Sequence, residues 1–212
     1  ATGTVVGAEF FIGETSLNCM KVMKDIVESK GVPHAFYLDK AGAFGKDDRD
    51  QSSTQIGRAL NELGSDIILA NSPQAKGKIE RLWNTFQDRR IAEFKFYNIY
   101  SIPKANLFLK EGFLPRFNEK FGYAAREKAP AYLKTDKCLD DVFCVKNQRK
   151  ISNGNTFSFE GTQYIVNDER SYKFRTININ QHIDGSQSFD IMGKQVEIKR
   201  YVPIPRENSL AA

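Results

Sequence analysis

Cysteine and histidine are scarce in this chain, and their scarcity excludes several chemistries. Among 212 residues there are three cysteines (Cys19, Cys138, Cys144) and two histidines (His34, His182). An odd, widely spaced cysteine set builds no disulfide framework, and without a CxxC or a close Cys/His cluster no structural zinc site is expected. A reducing cytoplasm fits this usage best. No run of about 18 apolar residues is present, so no membrane span is expected. The opening Ala1-Thr-Gly-Thr-Val-Val-Gly7 is no signal peptide. It carries no Met and runs almost at once into strand-like sequence, as expected of a piece cut from something longer.

What is there suits a folded protein with an anionic partner. Hydrophobic residues make up 41% and aromatics 12%, enough to fill the core of one large domain or two small ones. A net charge of +5 with a pI near 9.0 makes an acidic partner plausible without requiring one.

One stretch organises the rest: Asn71-Ser-Pro-Gln-Ala-Lys-Gly-Lys-Ile-Glu80-Arg-Leu-Trp-Asn-Thr-Phe-Gln87. Asn71 or Ser72 can cap a helix, and Pro73 is tolerated in its first turn. Ile79, Leu82, Trp83 and Phe86 then recur at the spacing of an amphipathic face. Glu80 falls on a polar flank with Lys76, Asn84 and Gln87. It reads either as a solvated surface carboxylate or as a metal ligand beside a phosphate backbone. Trp83 and Phe86 read as core rather than as a platform for stacking bases.

Upstream, residues 5–11 read as a strand. Residues 15–30 form a helix with Leu17, Met20, Met23, Ile26 and Val27 at helical spacing, ended by Gly31 and Pro33. Ala35-Phe-Tyr-Leu38 suits a buried strand and stops at Asp39. A charged loop follows. Ser52, Ser53 and Thr54 offer caps for a helix with Ile56, Ala59, Leu60 and Leu63 on one face, closed by Gly64. Asp66-Ile-Ile-Leu-Ala70 is a further strand. This alternation signals an α/β layer of parallel strands, whose ligands bind beyond the carboxyl ends. Asp39 and the Asn71 turn both lie at such ends, so Asp39 and Glu80 could meet there and share a divalent cation. Asp39 could equally cap the loop after it.

Helical periodicity continues through Phe94. A further helix covers Leu107 to Phe121 and bends at Pro115. Residues 122–138 read as a linker and 139–204 as a small β-barrel or sandwich, with short β-type runs punctuated by Asn153-Gly154, Glu160-Gly161 and Asp184-Gly185. The tail, 205–212, is expected to be mobile.

Taken together, Ala1 to Phe10, Ala35 to Asp39, Thr54 to Gly64 and above all Asn71-Ser-Pro-Gln-Ala-Lys-Gly-Lys-Ile-Glu80-Arg resemble bacterial transposases of the retroviral-integrase superfamily. The match covers roughly residues 1–120, and the β region resembles the C-terminal domain of such transposases less specifically. The resemblance implies a ribonuclease H-like catalytic core over 1–121. It implies two Asp and one Glu holding two Mg²⁺ or Mn²⁺ ions, with Asp39 as the second carboxylate and Glu80 as the third. The family's first Asp sits upstream of the segment matching Ala1 to Phe11, and no residue here occupies its position. The chain is therefore expected to be a C-terminal fragment lacking the opening strand, and inactive by itself.

The implied chemistry is metal-dependent cleavage of DNA and strand transfer, with two ions about 3.5–4 Å apart clamping the attacking and leaving oxygens. Gln74 matches the family amide that contacts DNA. Lys76, Lys78, Arg81, Arg89 and Arg90 are candidates for phosphate contacts, with a solvated surface charge as the alternative for each. Lys146, Arg149 and Lys150 could grip DNA or another subunit. The implied partners are DNA and further copies of the chain, in a bacterial, nucleoid-associated setting. Two rival readings stand beside this one: a non-catalytic DNA-binding or oligomerisation module, and an unrelated α/β domain in which Asp39 and Glu80 are structural.

Overall fold

Thr15 starts the first helix, α1 (Ser16–Lys30), by accepting a hydrogen bond from the Asn18 N–H at 3.1 Å. Gly31, at φ +99°, ends it. The helix buries Met20, Met23 and Val27. The computed structural model to which these elements belong describes residues 2–38, 54–69, 73–125 and 131–202, without the side chains at 73–76, 78 and 79. It is mixed α/β with several small sheets, and the chain divides into two compact units, Ala1–Cys144 and Val145–Ala212.

In the first unit, β1 (Val32–Pro33) pairs antiparallel with β4 (Tyr132–Leu133). That ladder draws part of the polar stretch 122–138, read from sequence as a linker, into the unit. β2 (Ala35–Leu38) pairs in parallel with β3 (Asp66–Leu69), Ala35 opposite Asp66 and Leu38 opposite Leu69. Between them α2 (Gln55–Leu63) begins at the Thr54 cap and ends at the left-handed Gly64. It buries Ile56, Ala59, Leu60 and Leu63, the four positions its periodicity marks. The Ser65 hydroxyl donates to the Pro33 carbonyl at 2.6 Å and fixes where β3 enters. From the far face of α2, Arg58 pairs with Glu62 and donates to the Val142 and Cys144 carbonyls. The short α6 (Leu139–Val142) lies in the segment so held.

Two expectations are corrected here. β2 is not a buried strand: Ala35 and Tyr37 are exposed, and so is Ile68 on β3. Among the described residues the parallel sheet has two strands, and only one of its faces is covered. Residues 5–11 join no ladder either. They run extended against a helix, where two asparagine side chains take the part of a neighbouring strand. Asn118 accepts from the Val5 N–H and donates to the Val5 carbonyl, both at 2.8 Å. Asn106 does the same for Phe10, at 2.7 and 3.1 Å. A primary amide presents the same donor–acceptor pair as a peptide, so the main chain is satisfied without a sheet.

α3 (Pro73–Phe96) follows β3 and runs for 24 residues. α4 (Ile102–Phe108) and α5 (Leu114–Phe121) are joined by a single π turn, Leu109–Phe113. Pro115 lacks an N–H and its ring crowds the carbonyl four residues back, so the helix widens just ahead of it. Phe86 of α3 sits in the core of this unit with Leu109, Phe113 and Phe117. Its ring meets Phe113 edge-on at 5.0 Å and Phe117 at 5.5 Å.

The second unit is two antiparallel sheets around one core. One sheet has the order β10 (Lys194–Gln195), β9 (Gln187–Ile191), β8 (Thr176–Gln181), β5 (Val145–Lys150). The other has β11 (Ile198–Arg200), β7 (Thr162–Val166), β6 (Thr156–Phe159). Ile151, Phe157, Phe159, Val166, Ile177, Ile179 and Ile191 are buried together. Glu160 and Gly161, both at positive φ, make the tight turn between β6 and β7. Met192 and Gly193 do the same between β9 and β10.

Candidate catalytic edge and nucleic-acid interface

Parallel pairing brings Leu38 and Leu69 side by side, so β2 and β3 end at the same edge. α3 begins four residues after Leu69. This is the carboxyl edge to which the sequence assigns Asp39 and the Asn71 turn, although both positions fall outside the described residues. Glu80 is the eighth residue of α3, about 10 Å along the axis from Pro73 at 1.5 Å per residue. It is exposed, and among the described residues it has neither a hydrogen bond nor an ion pair.

Of the described residues in this part of α3, Glu80 and Arg81 are exposed and Gly77 is half-buried. Gly77 stands inside the helix, yet a Cβ added to it would meet nothing within 4 Å among the described residues. A helical Gly costs about 1 kcal/mol relative to Ala. No internal contact in the described structure requires that cost. Arg81 is exposed and its Nε donates to the Gly77 carbonyl at 2.9 Å, one turn back. Positions 74, 76 and 78 lie in the first turns of α3, with side chains outside the described residues, so Gln74, Lys76 and Lys78 are placed only by their backbone.

Farther along, the cations lie on rings. The Arg89 guanidinium is 5.9 Å above Phe121, and that of Arg90 is 5.0 Å above Phe10. Arg116 lies over Phe108 and pairs with Glu93. Arg89, Arg116 and Lys120 line one small cleft floored by Phe113, Phe117 and Phe121. Sequence reasoning picks out Arg89 from this group and misses Arg116 and Lys120, because the fold and not the spacing joins α3 to α5. Trp83 also departs from expectation. Phe86 is core at 2% exposure, whereas Trp83, stacked on it at 5.4 Å with an interplanar angle of 4°, remains 53% exposed. A core seat for Trp83 is corrected: the next turn of α3 takes the buried position.

Among the described residues no three potential metal ligands gather, and no helix is long and apolar enough to cross a membrane. Lys146, Arg149 and Lys150 lie on β5. The Arg149 guanidinium stands 5.4 Å above the Phe159 ring, on the core side of its sheet.

No family model matches the chain. It is similar to a putative transposase, y4bF, of Sinorhizobium fredii (strain NBRC 101917 / NGR234), with 33% identity over 196 residues. That alignment takes in 87% of this chain and 42% of the relative. It is also similar to the transposase for insertion sequence IS1202 of Streptococcus pneumoniae, with 30% identity over 179 residues, 80% of this chain and 37% of that protein. The chain thus spans about two fifths of the length of the curated relatives it matches.

Proposed function

We propose that this chain is part of a DNA transposase with a ribonuclease H-like integrase core, acting by metal-dependent phosphodiester cleavage and strand transfer. The observation that carries this reading is Glu80, an exposed carboxylate without a partner among the described residues, on the helix that begins four residues after β3. The similarity to two proteins named as transposases supports it.

The donor chemistry fits the group the reading requires. Glu80 offers hard oxygen atoms unclaimed by any described neighbour, and Mg²⁺ prefers such ligands. Asp39 and Glu80 would hold the ions. Bound Mg²⁺ or Mn²⁺ would supply Lewis acidity at the scissile phosphate and acidify the attacking water.

The chain's own residues would do the positioning. Gln74 would hold a DNA strand through its amide. Lys76, Lys78 and Arg81 would neutralise phosphates along the same helix, and Arg89 farther on. Such contacts fix register and give sequence-independent, salt-sensitive affinity. Gly77 leaves the α3 backbone accessible where a phosphate chain would come closest.

The test is nicking of supercoiled plasmid by the full translated product of the gene that encodes this chain. Nicking should require Mg²⁺ or Mn²⁺. Glu80→Gln should lower it at least about 100-fold, the scale on which removing one electrostatic participant acts, while the fold and DNA binding persist. A Glu80→Gln protein that nicks as fast as its parent would sink this assignment.

A further inference from the structure

The four-stranded sheet of the second unit turns one face to the core and the other to solvent, and the register assigns each residue to one of them. Ile177 and Ile179 are buried, so Thr176, Asn178 and Asn180 of β8 point outward. Directly opposed residues in an antiparallel ladder share a face. Lys150, Gln148 and Lys146 of β5 therefore stand on the outer face beside those three, as do Asp190 and Ser188 of β9.

This outer face is a lattice of amides. Gln148 Nε2 donates to Asn178 Oδ1 at 3.0 Å, and Asn178 Nδ2 donates to Asp190 Oδ1 at 2.8 Å. Asp190 is the one carboxylate the register places here, and its Oδ1 also accepts from the Gly193 N–H at 3.2 Å. Over residues 145–202 nine Lys or Arg stand against six Asp or Glu, so the unit is positive overall.

Two large apolar side chains stand out of this polar surface. Phe174 is 74% exposed and Met192 75%. Both hold positive φ, +63° and +54°, which residues other than Gly adopt at a cost. They line the same shallow depression as Gln148, Arg175, Thr176 and Asn178. The Lys173 ammonium lies 4.7 Å over the Phe174 ring, which puts positive charge at its rim. Exposed apolar groups in an unfavourable backbone conformation, around one amide-lined and cation-flanked hollow, match a ligand with flat apolar faces, hydrogen-bonding edges and negative charge. Nucleic-acid bases on their phosphate chain have all three.

We propose that this face binds single-stranded DNA, with Phe174 stacking on an unpaired base and Lys150 and Arg175 meeting phosphates. The width of the sheet argues against a duplex. Four strands at about 4.8 Å spacing place the outer two roughly 14 Å apart before side chains are counted. The major groove, about 12 Å wide, admits a helix or a two-stranded ribbon, and the minor groove is about half as wide. Unpaired bases can lie flat across such a sheet. This inference rests on the reading above only for the choice of DNA over RNA.

The test is fluorescence anisotropy with the 212-residue chain and a labelled mixed-sequence oligonucleotide of about 20 nucleotides, its blunt duplex serving as competitor, at moderate salt. The single strand should bind at least about tenfold more tightly than the duplex. Phe174→Ala should weaken binding about tenfold, within the range for one base–aromatic stack. Lys150→Gln should weaken it a few-fold and flatten the salt dependence by about 0.7 in log–log slope. Lys199→Gln removes the same charge from the other sheet and should change affinity less than about twofold. Phe174 is exposed, so its variant keeps the parental circular dichroism. Equal or tighter binding to duplex, affinity unmoved by both Phe174→Ala and Lys150→Gln, or no binding at all would each overturn the proposal. The catalytic reading is measured separately, by nicking in Glu80→Gln, so the failure of one is distinguishable from the failure of the other.

Discussion

The Asn118 side chain completes both main-chain hydrogen bonds of Val5, 113 residues away in sequence, with donor and acceptor distances of 2.8 Å. Replacing Asn118 with Ala leaves a part-buried N–H and carbonyl without partners and should cost about 2 kcal/mol. Urea unfolding followed through Trp83, the single tryptophan and a reporter of the first unit, measures this directly. Asn118→Asp keeps the acceptor and sets its second oxygen against the Val5 carbonyl. It should therefore be less destabilising below about pH 4, where the carboxyl can donate, than at neutrality. A silent Asn118→Ala would mean that this extended segment is held by its side chains alone.

Phe86 and Trp83 stack on each other but differ in what surrounds them. Phe86→Ala should cost about 3–5 kcal/mol, the usual price of emptying an aromatic seat in a core. Trp83→Leu should cost about 1–2 kcal/mol, reflecting partial burial and one stacked ring. Thermal unfolding followed by helical circular dichroism compares the two without relying on tryptophan emission. Equal losses would show that Trp83 is covered in solution.

In the second unit, Asp168 accepts hydrogen bonds from the Arg170 guanidinium and backbone N–H and from the Tyr172 hydroxyl. These donors, the Arg170 side chain foremost, hold its carboxyl well below the usual carboxylate range. The same bond pushes the Tyr172 hydroxyl upward. A carboxyl whose pKa is lower folded than unfolded stabilises the fold above its unfolded value, near 3.9, and loses that contribution as pH falls toward the folded value. Acid unfolding of the parent should steepen below about pH 4. Asp168→Asn should flatten that part of the profile when β-sheet circular dichroism is followed. An identical acid limb in both proteins would dismiss the role given to Asp168.

Where local chemistry dominates, the sequence is a good guide. Gly31 ends α1, and Thr54 with Gly64 bounds α2, as the sequence indicates, because cap and stop residues act within a turn of themselves. The same holds for the Glu160-Gly161 turn. Residues 5–11 mislead because an extended apolar run looks alike whether its backbone pairs with a strand or with two asparagine amides. β9 is hard to see, since Gln187-Ser-Phe-Asp-Ile191 offers only Phe189 and Ile191 as apolar markers. At the candidate site, the spacing from β3 to Glu80 is legible from the chain alone. The exposure of Trp83 and the gathering of Arg89, Arg116 and Lys120 are not, because each depends on how α3 meets α5.

The π turn at Leu109–Phe113 has a consequence for helical phase. Asn106 and Asn118 are twelve positions apart, and at about 100° per residue an unbroken α-helix would set them roughly 120° out of line. One residue absorbed by the wider turn makes the separation count as eleven, and the mismatch falls to about 20°. Eleven or twelve residues of helix also rise about 17 Å, close to the reach of the five extended steps from Val5 to Phe10. The widening ahead of Pro115 thus acts as a vernier, bringing two amides into step with a backbone of a different period. Deleting Gly112 would leave eleven positions of even α-helix between the two asparagines and keep Asn118 within about 20° of the peptide it holds.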